Sequence, residues 1–212
     1  MKEKLISCLI GYCLGNFLTA ELVAMKYNGT SSSEIDSGNP GMANIMINLG
    51  FVPGILTLIG DVAKCVIAML IARYLFPEAD RNIMFYAGFG ATIGHCFPIW
   101  RKFKGGKGVA TTCIMIAVYS FLWGAVADIA GAIVVLITQY LNLAGPVPPL
   151  VFAIAMFALK DYEVAVMSAI LFVIALAKHW SFIMGIFDHT TEKTDVIGAI
   201  RKKLNKNKTK DA

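Results

Sequence analysis

Seven apolar runs follow one another through this chain, at 5–25, 51–75, 83–100, 109–123, 125–141, 147–159 and 164–177, with short connections between most of them. That succession limits the possible folds more than any single residue does. A hydrocarbon core about 30 Å thick takes roughly 20 apolar residues per helical crossing. With 212 residues, 57% of them hydrophobic and 16% charged, little chain remains for anything except crossings and connections. The mean hydropathy of +0.67 exceeds what a soluble core of this length requires. The expectation is an all-α integral membrane protein of about seven transmembrane helices, with one polytopic domain over 1–200 and a basic tail over 201–212. Several runs are short for a perpendicular crossing and would need bundle packing or local thinning of the bilayer. Division of 109–141 into two helices rests on Trp123 and Gly124 as an interfacial turn; one bent helix would reduce the count to six. The first run lacks a small-residue cleavage site and leads straight into further spans, so no cleavable signal peptide is expected.

The net charge of +5 is concentrated at 101–107 and 201–210. With seven crossings, the 26–49 loop, the 101–107 loop and the tail are separated by two and four crossings and share one side. Basic segments mark that side as cytoplasmic, which puts the N-terminus outside and the C-terminus inside. Six crossings would send the basic loop and the basic tail to opposite compartments. The tail reads as a solvated extension at the membrane surface rather than a nucleic-acid arm. Cys8, Cys13, Cys65, Cys96 and Cys113 are odd in number and lie mostly within apolar runs. They read as small hydrophobes, without a disulfide framework or metal-ligand spacing.

Polar residues inside the spans are costly in lipid and need a partner or a cavity. Asp61 and Lys64 lie three apart on one helix and can reach each other, as a structural ion pair or in a catalytic role. Asn16, Glu21 and Asp128 have no evident partner in the sequence.

Between two of the apolar runs stands Gly94-His95-Cys96-Phe97-Pro98, followed at Phe103 by Phe-Lys-Gly-Gly-Lys-Gly. Arg101, Lys102, Lys104 and Lys107 supply charge there, and Gly105, Gly106 and Gly108 allow close approach of backbone to a ligand. Lysine adds a mobile point charge suited to phosphate. Lys107 precedes Gly108 rather than Ser or Thr, so this is not a Walker A loop. A basic loop that only sets topology would need charge but not closely spaced glycines. A second segment, Ser37-Gly38-Asn39-Pro40-Gly41-Met42-Ala43-Asn44, sets small polar side chains among glycines just before a helix. It reads alone as a loop with a helix cap, and on the same membrane face as the lysine-glycine loop as a second wall of one anion site.

Together these segments resemble the membrane acyl-phosphate:glycerol-3-phosphate acyltransferases, the PlsY family. The family's G-S-G-N-x-G-A-T-N signature aligns with 36–44, retaining Ser37, Gly38, Asn39, Gly41 and Asn44. Its G-H-x-F-P-x-x-x-x-F-K-G-G-K-G-V-A-T signature is matched throughout from Gly94 to Thr111. Gly15, Lys26, Gly29 and the Asp61/Lys64 pair also fit the family's spacing. The resemblance covers most of the chain and implies a seven-helix, N-terminus-out architecture. Arginines usual in the family fall at Ser33 and Ile47 here, and a serine pair after the fifth span is replaced by a region containing Asn142 and Gly145. A third signature survives as His179, Ile183, Thr190 or Thr191, and a shifted Glu192, with its asparagine and second arginine falling at Phe182 and Gly185.

The resemblance implies transfer of an acyl group from acyl phosphate to glycerol 3-phosphate, giving lysophosphatidate for phospholipid synthesis at the cytoplasmic face of the cell membrane. It implies no cofactor or metal. Such a site must hold two phosphates close together, and so needs concentrated positive potential and many donors. The catalytic candidates are Ser37, His95 and Lys107; the substrate-binding candidates are Gly38, Asn39, Asn44, Lys104, Gly105, Gly106 and His179. Lys107 with Gly105 and Gly106 is the expected phosphate cradle. Ser37 and Asn39 would bond the same anions, while Asn44 braces the loop. His95 is either a base or ligand contact, or a buried brace for the turn after it. The stand-ins for the missing arginines are sought among Lys26, Arg101, Lys102 and Lys104, with Lys104 best placed because the glycine turn can aim it inward. The competing readings are a non-enzymatic relative that retains a phosphate or headgroup pocket, an acyltransferase with altered substrate, and a transporter, though the chain lacks a transporter's repeats.

Overall fold

The computed structural model describes residues 1–191 and 193; Glu192 and the basic tail fall outside them. Ten α-helices occur in the described residues: α1 (Lys2–Gly15), α2 (Thr19–Asn28), α3 (Met42–Leu49), α4 (Phe51–Leu75), α5 (Asn82–Cys96), α6 (Val109–Tyr119), α7 (Phe121–Thr138), α8 (Val147–Ala158), α9 (Tyr162–Lys178) and α10 (Trp180–Phe187). Four stretches are long and apolar enough to cross a membrane: Lys2–Asn28, Phe51–Leu75, Phe121–Thr138 and Leu141–Ala158. The α9–α10 pair, bent by 63°, makes a fifth if it counts as one span. α6, at 11 residues, is about 16 Å long, well short of the hydrocarbon core.

Two expectations about boundaries need correction. The first apolar run is not one continuous helix: it breaks around Asn16–Leu18, where Leu18 is extended (φ −96°, ψ 104°). The division of 109–141 is real but falls at Ser120, also extended (φ −142°, ψ 100°), rather than at Trp123-Gly124. Gly124 lies inside α7, where an added Cβ would sit 2.5 Å from Ala117 Cα. Its smallness lets α7 fold back closely on α6, so it serves the packing beside the turn.

The most extensive helix pair is α1 with α5, and small residues explain it. A Cβ at Gly15 would lie 2.8 Å from Ala91 C, one at Gly90 3.0 Å from Tyr12 N, and one at Gly94 2.9 Å from Asn16 N. Without side chains at these positions the two backbones come into direct contact, which is how helices associate where lipid removes the hydrophobic drive. The remaining core is aromatic: Phe85 packs edge-on to Tyr119 (5.1 Å between centroids) and stacks on Phe152 (6.0 Å). A smaller core of Ala20, Val23, Ala24, Ile35 and Ile45 lies beneath the first loop. Outward-facing apolar residues such as Leu70, Phe121 and Ile137 are more than half exposed, as a lipid-facing surface requires.

Contacts at the two ends of the bundle give the direction of each pass. Lys4 at the start of α1 pairs with Glu163 at the start of α9 (2.6 Å) and with Asp80 just before α5 (3.2 Å). The Tyr119 hydroxyl, at the end of α6, shares its one proton between Asp161 Oδ2 and Asn82 Oδ1 (both 2.6 Å). At the opposite end, Lys107 before α6 meets Asn142 after α7 (2.8 Å), and Lys178 at the end of α9 meets Cys96 O at the end of α5 (2.7 Å). Thus α1, α5, α7 and α9 run toward the glycine-lysine loop, while α6 and α8 run away from it.

Candidate active site

The turn after α5 is held from three directions. Gly105 N–H donates to Cys96 O (3.2 Å) and Gly106 N–H to His95 O (3.0 Å), so the loop folds back and caps the carbonyl end of α5. These two amides, expected as an anion cradle, are taken up by the protein itself. Neither glycine has a positive φ; the need is for space. A Cβ at Gly105 would meet Pro98 Cδ at 2.5 Å, and one at Gly106 would meet His95 Cε1 at 2.7 Å. The left-handed positions are Lys102 (φ 52°), Phe103 (φ 62°) and Gly108 (φ 78°).

Beneath the loop lies a buried polar cluster. The Lys64 ammonium donates to Phe17 O (2.9 Å), in the break between α1 and α2, and pairs with Asp61 Oδ1 (2.8 Å). Its third neighbour is His95 Nδ1 at 2.8 Å. An ammonium can only donate, so Nδ1 accepts and the ring proton sits on Nε2, against Gly106. With Nδ1 taken by Lys64, the ring packed against Gly106 and 4% of the residue exposed, the geometry supports His95 as the brace of the turn. Asp61 and Lys64 then act as an ion pair that orients that brace.

Lys107 leaves the loop just before α6 and donates to Asn142 Oδ1. It is half-buried, and burial holds its ammonium pKa below the ordinary lysine value. In the same turn as Asn142, Gly145 packs on the His179 ring, where a Cβ would lie 2.8 Å from Nε2. His179 is buried at the α9–α10 bend, with Nδ1 2.8 Å from Ala175 O. Lys107, Asn142, Gly145 and His179 therefore converge. Lys178 joins them from α9, donating to Cys96 O and Gly105 O (3.4 Å). Lys178 and Asn142 were not among the candidates; adjacency to His179 and the position of the family's serine pair were the available signals.

The first loop forms the second wall. Asn44 is buried and its Nδ2 donates to Ile35 O (2.9 Å) and Asn39 O (3.1 Å), bracing the loop as expected. Gly38 is left-handed (φ 65°), and a Cβ there would lie 3.1 Å from Ser33 O. Ser37 is exposed and Asn39 half-exposed. Among the described residues no hydrogen bond joins Ser37 or Asn39 to Lys107. The two walls connect through Arg101, whose Nη1 reaches Glu21 Oε2 (2.9 Å) and Ser32 Oγ (3.0 Å). Lys104, expected to turn inward, instead stands exposed, because the tight turn over 101–104 directs it to the surface. Arg101 makes the inward contact.

This arrangement gathers Arg101, Lys107, Lys178 and His179 around one turn, with Glu21 and Asp61 as nearby carboxylates already paired. Such an excess of donors suits a phosphorylated ligand. A family model described as glycerol-3-phosphate acyltransferase matches residues 5–189. The chain is 37% identical over 205 residues to glycerol-3-phosphate acyltransferase 1 of Lactobacillus acidophilus, covering 95% of this chain and 97% of that one. It is 33% identical over 171 residues to a glycerol-3-phosphate acyltransferase of Francisella tularensis, covering 81% and 83%. The fold is similar to the crystal structure of the integral membrane acyltransferase PlsY in its glycerol 3-phosphate form, with a TM-score of 0.79 and 24% identity over 93% of this chain and 98% of that one. Its lysophosphatidic acid form gives a TM-score of 0.75, covering 90% and 94%. A family match spanning nearly every helix, with the glycine turn and its converging cations inside it, makes this multi-pass membrane chain a member of the glycerol-3-phosphate acyltransferase family.

Proposed function

We propose that this protein is a glycerol-3-phosphate acyltransferase of phospholipid synthesis, using acyl phosphate as donor at the cytoplasmic face of the cell membrane. The glycerol hydroxyl oxygen attacks the acyl carbon, the new ester C–O bond forms, and the acyl–oxygen bond to phosphate breaks. The electron pair leaves with inorganic phosphate, and the hydroxyl proton passes to phosphate or water. No cofactor enters this chemistry. The observation that carries the reading is the convergence of Lys107 with Asn142, Gly145 and His179, and of Lys178, on the turn after α5. Cations fixed in a partly desolvated pocket stabilise the charge that develops on the departing phosphate. Lys107 is the principal catalytic cation; Ser37, Gly38 and Asn39 line the acceptor side, and Lys104 guides anions toward the mouth. Gly105, Gly106 and His95 shape the turn on which Lys107 stands.

The alternating direction of the passes, from α1 through α9, supports seven crossings with the N-terminus outside. Labelling of Asn39→Cys and Lys104→Cys from the cytoplasmic side only, with Met1 reached from outside, is the expected topology; Lys104 and the tail on opposite faces would overturn it. The reaction is tested with purified protein, acyl phosphate and glycerol 3-phosphate by following phosphate release and lysophosphatidate. Turnover with acyl-CoA in place of acyl phosphate would remove the donor assignment.

A further inference from the structure

Glu21 is a carboxylate on an otherwise apolar stretch of α2, where lipid makes charge expensive. Its Oε2 accepts from Arg101 Nη1 at 2.9 Å, from Ser32 N at 3.3 Å, and from Ser32 Oγ in a short bond. Ser32 is fully buried, and the same Arg101 nitrogen donates to its hydroxyl. The side chains of Glu21 and Arg101 are only 18% and 12% exposed. Arg101 is backed by the Trp100 ring (5.8 Å), and the Trp100 indole N–H is fixed on Asn16 O (2.8 Å) in the α1–α2 break. Asn16 Oδ1 also accepts from Ile99 N (2.8 Å). One helix break thus carries both walls of the site: it anchors the 97–101 turn through Asn16 and the first loop through Glu21.

We propose that Glu21 is a positioning residue for acyl transfer. By gripping Ser32 and Arg101 together, it latches the loop carrying Ser37 and Asn39 against the loop carrying Lys107, so that one acceptor molecule meets both. This inference rests on the function proposed above. A carboxylate holding a guanidinium and a hydroxyl at once makes a directional contact that neither an amide nor a lysine reproduces. Its effect falls on acceptor binding, because the donor's phosphate cations, Lys107 and Lys178, are fixed independently by Asn142 and the end of α5.

The test uses the full chain in lipid vesicles, with Glu21→Gln, Arg101→Gln and the double variant. Glu21→Gln is expected to raise KM for glycerol 3-phosphate about tenfold, with kcat and donor KM within about twofold. The double variant is expected to lose no more than the worse single, since both remove one latch. Amide hydrogen exchange over 31–38 is expected to quicken in Glu21→Gln while α4 remains protected. Unchanged KM, additive losses, or a general rise in exchange with falling kcat would each overturn the latch. If the native chain performs no acyl transfer, exchange alone decides: faster exchange confined to 31–38 keeps the latch and removes the acyltransferase reading, while unchanged exchange removes the latch.

Discussion

At one end of the bundle, Lys4, Asp80, Asn82, Tyr86, Tyr119, Asp161 and Glu163 form a closed network; at the other, Arg101, Lys107, Lys178 and His179 gather around a glycine turn. In the first network one cation, Lys4, serves Asp80 and Glu163, and neutral amide and phenol groups satisfy the rest, so carboxylates outnumber cations. Glu163 alone accepts from Lys4, Asn82 (2.9 Å) and Tyr86 (2.7 Å). In the second, the carboxylates Glu21 and Asp61 are occupied by Arg101 and Lys64, while Lys107 and Lys178 rest on neutral oxygens, an amide and backbone carbonyls. A lysine on a neutral oxygen retains its full charge for an incoming anion, whereas a lysine on a carboxylate does not. Burial tells the two ends apart less well than charge balance does. The carboxylate-rich end pins α1 to α5 and α9; the cation-rich end is the one suited to an anionic ligand.

Breaking the buried pair under the active turn should have the largest effect. Lys64→Met leaves Asp61 with only the more distant His95 Nδ1 (3.5 Å) in a nearly dry interior, and removal of one partner of a buried pair costs about 3–5 kcal/mol. Thermal unfolding in detergent should show the loss, and the more volume-matched double variant Asp61→Asn/Lys64→Met should recover part of it. Equal stability of all three proteins would show that the cluster carries no such charge penalty.

Next in size is the glycine seam between α1 and α5. Gly94→Ala forces a methyl onto Asn16 N, and overpacking of this kind costs about 1–3 kcal/mol. The shift should reach the site as well, since Asn16 carries the 97–101 turn. A Gly94→Ala protein with native stability and native acceptor KM would show that the seam yields without cost.

The smallest effect concerns pH. Burial lowers the Lys107 pKa below that of an ordinary lysine, so in the free protein its charge is lost at a lower pH as pH rises. The alkaline limb of kcat/KM, which reports the free protein, should therefore begin below the ordinary lysine value. Lys107→Arg, which retains its proton throughout, should displace the limb upward even if overall activity falls. An identical limb in Lys107→Arg would assign it to another group.

Much of this was legible before any coordinates. The apolar runs foretold an all-helical membrane chain, Asn44 bracing its loop was anticipated, and the Asp61/Lys64 spacing of three residues foretold their pairing. The errors share one physical cause: local sequence does not reveal long-range geometry. Trp123-Gly124 has turn-like composition, yet Ser120 takes the turn, because Tyr119 is anchored across the bundle on Asn82 and Asp161. Gly105 and Gly106 suggested free amides, but those amides close the end of α5, and the clue to it was the carbonyls left at a helix terminus. Glu21 finds its partner 80 positions away, a separation no spacing rule covers.

The most direct test of the contrast between the ends compares Lys107→Ala with Glu163→Gln in the same vesicles, normalised to folded protein. Loss of a charge-assisted contact at the cation-rich end costs about 1.5–3 kcal/mol, roughly tenfold or more in kcat/KM for glycerol 3-phosphate. Glu163, whose side chain is 36% exposed, should lose only stability, with kcat/KM within about twofold. A tenfold or greater fall confined to Lys107→Ala is the predicted result. Normal transfer by Lys107→Ala, or an equal fall in both variants, would contradict it.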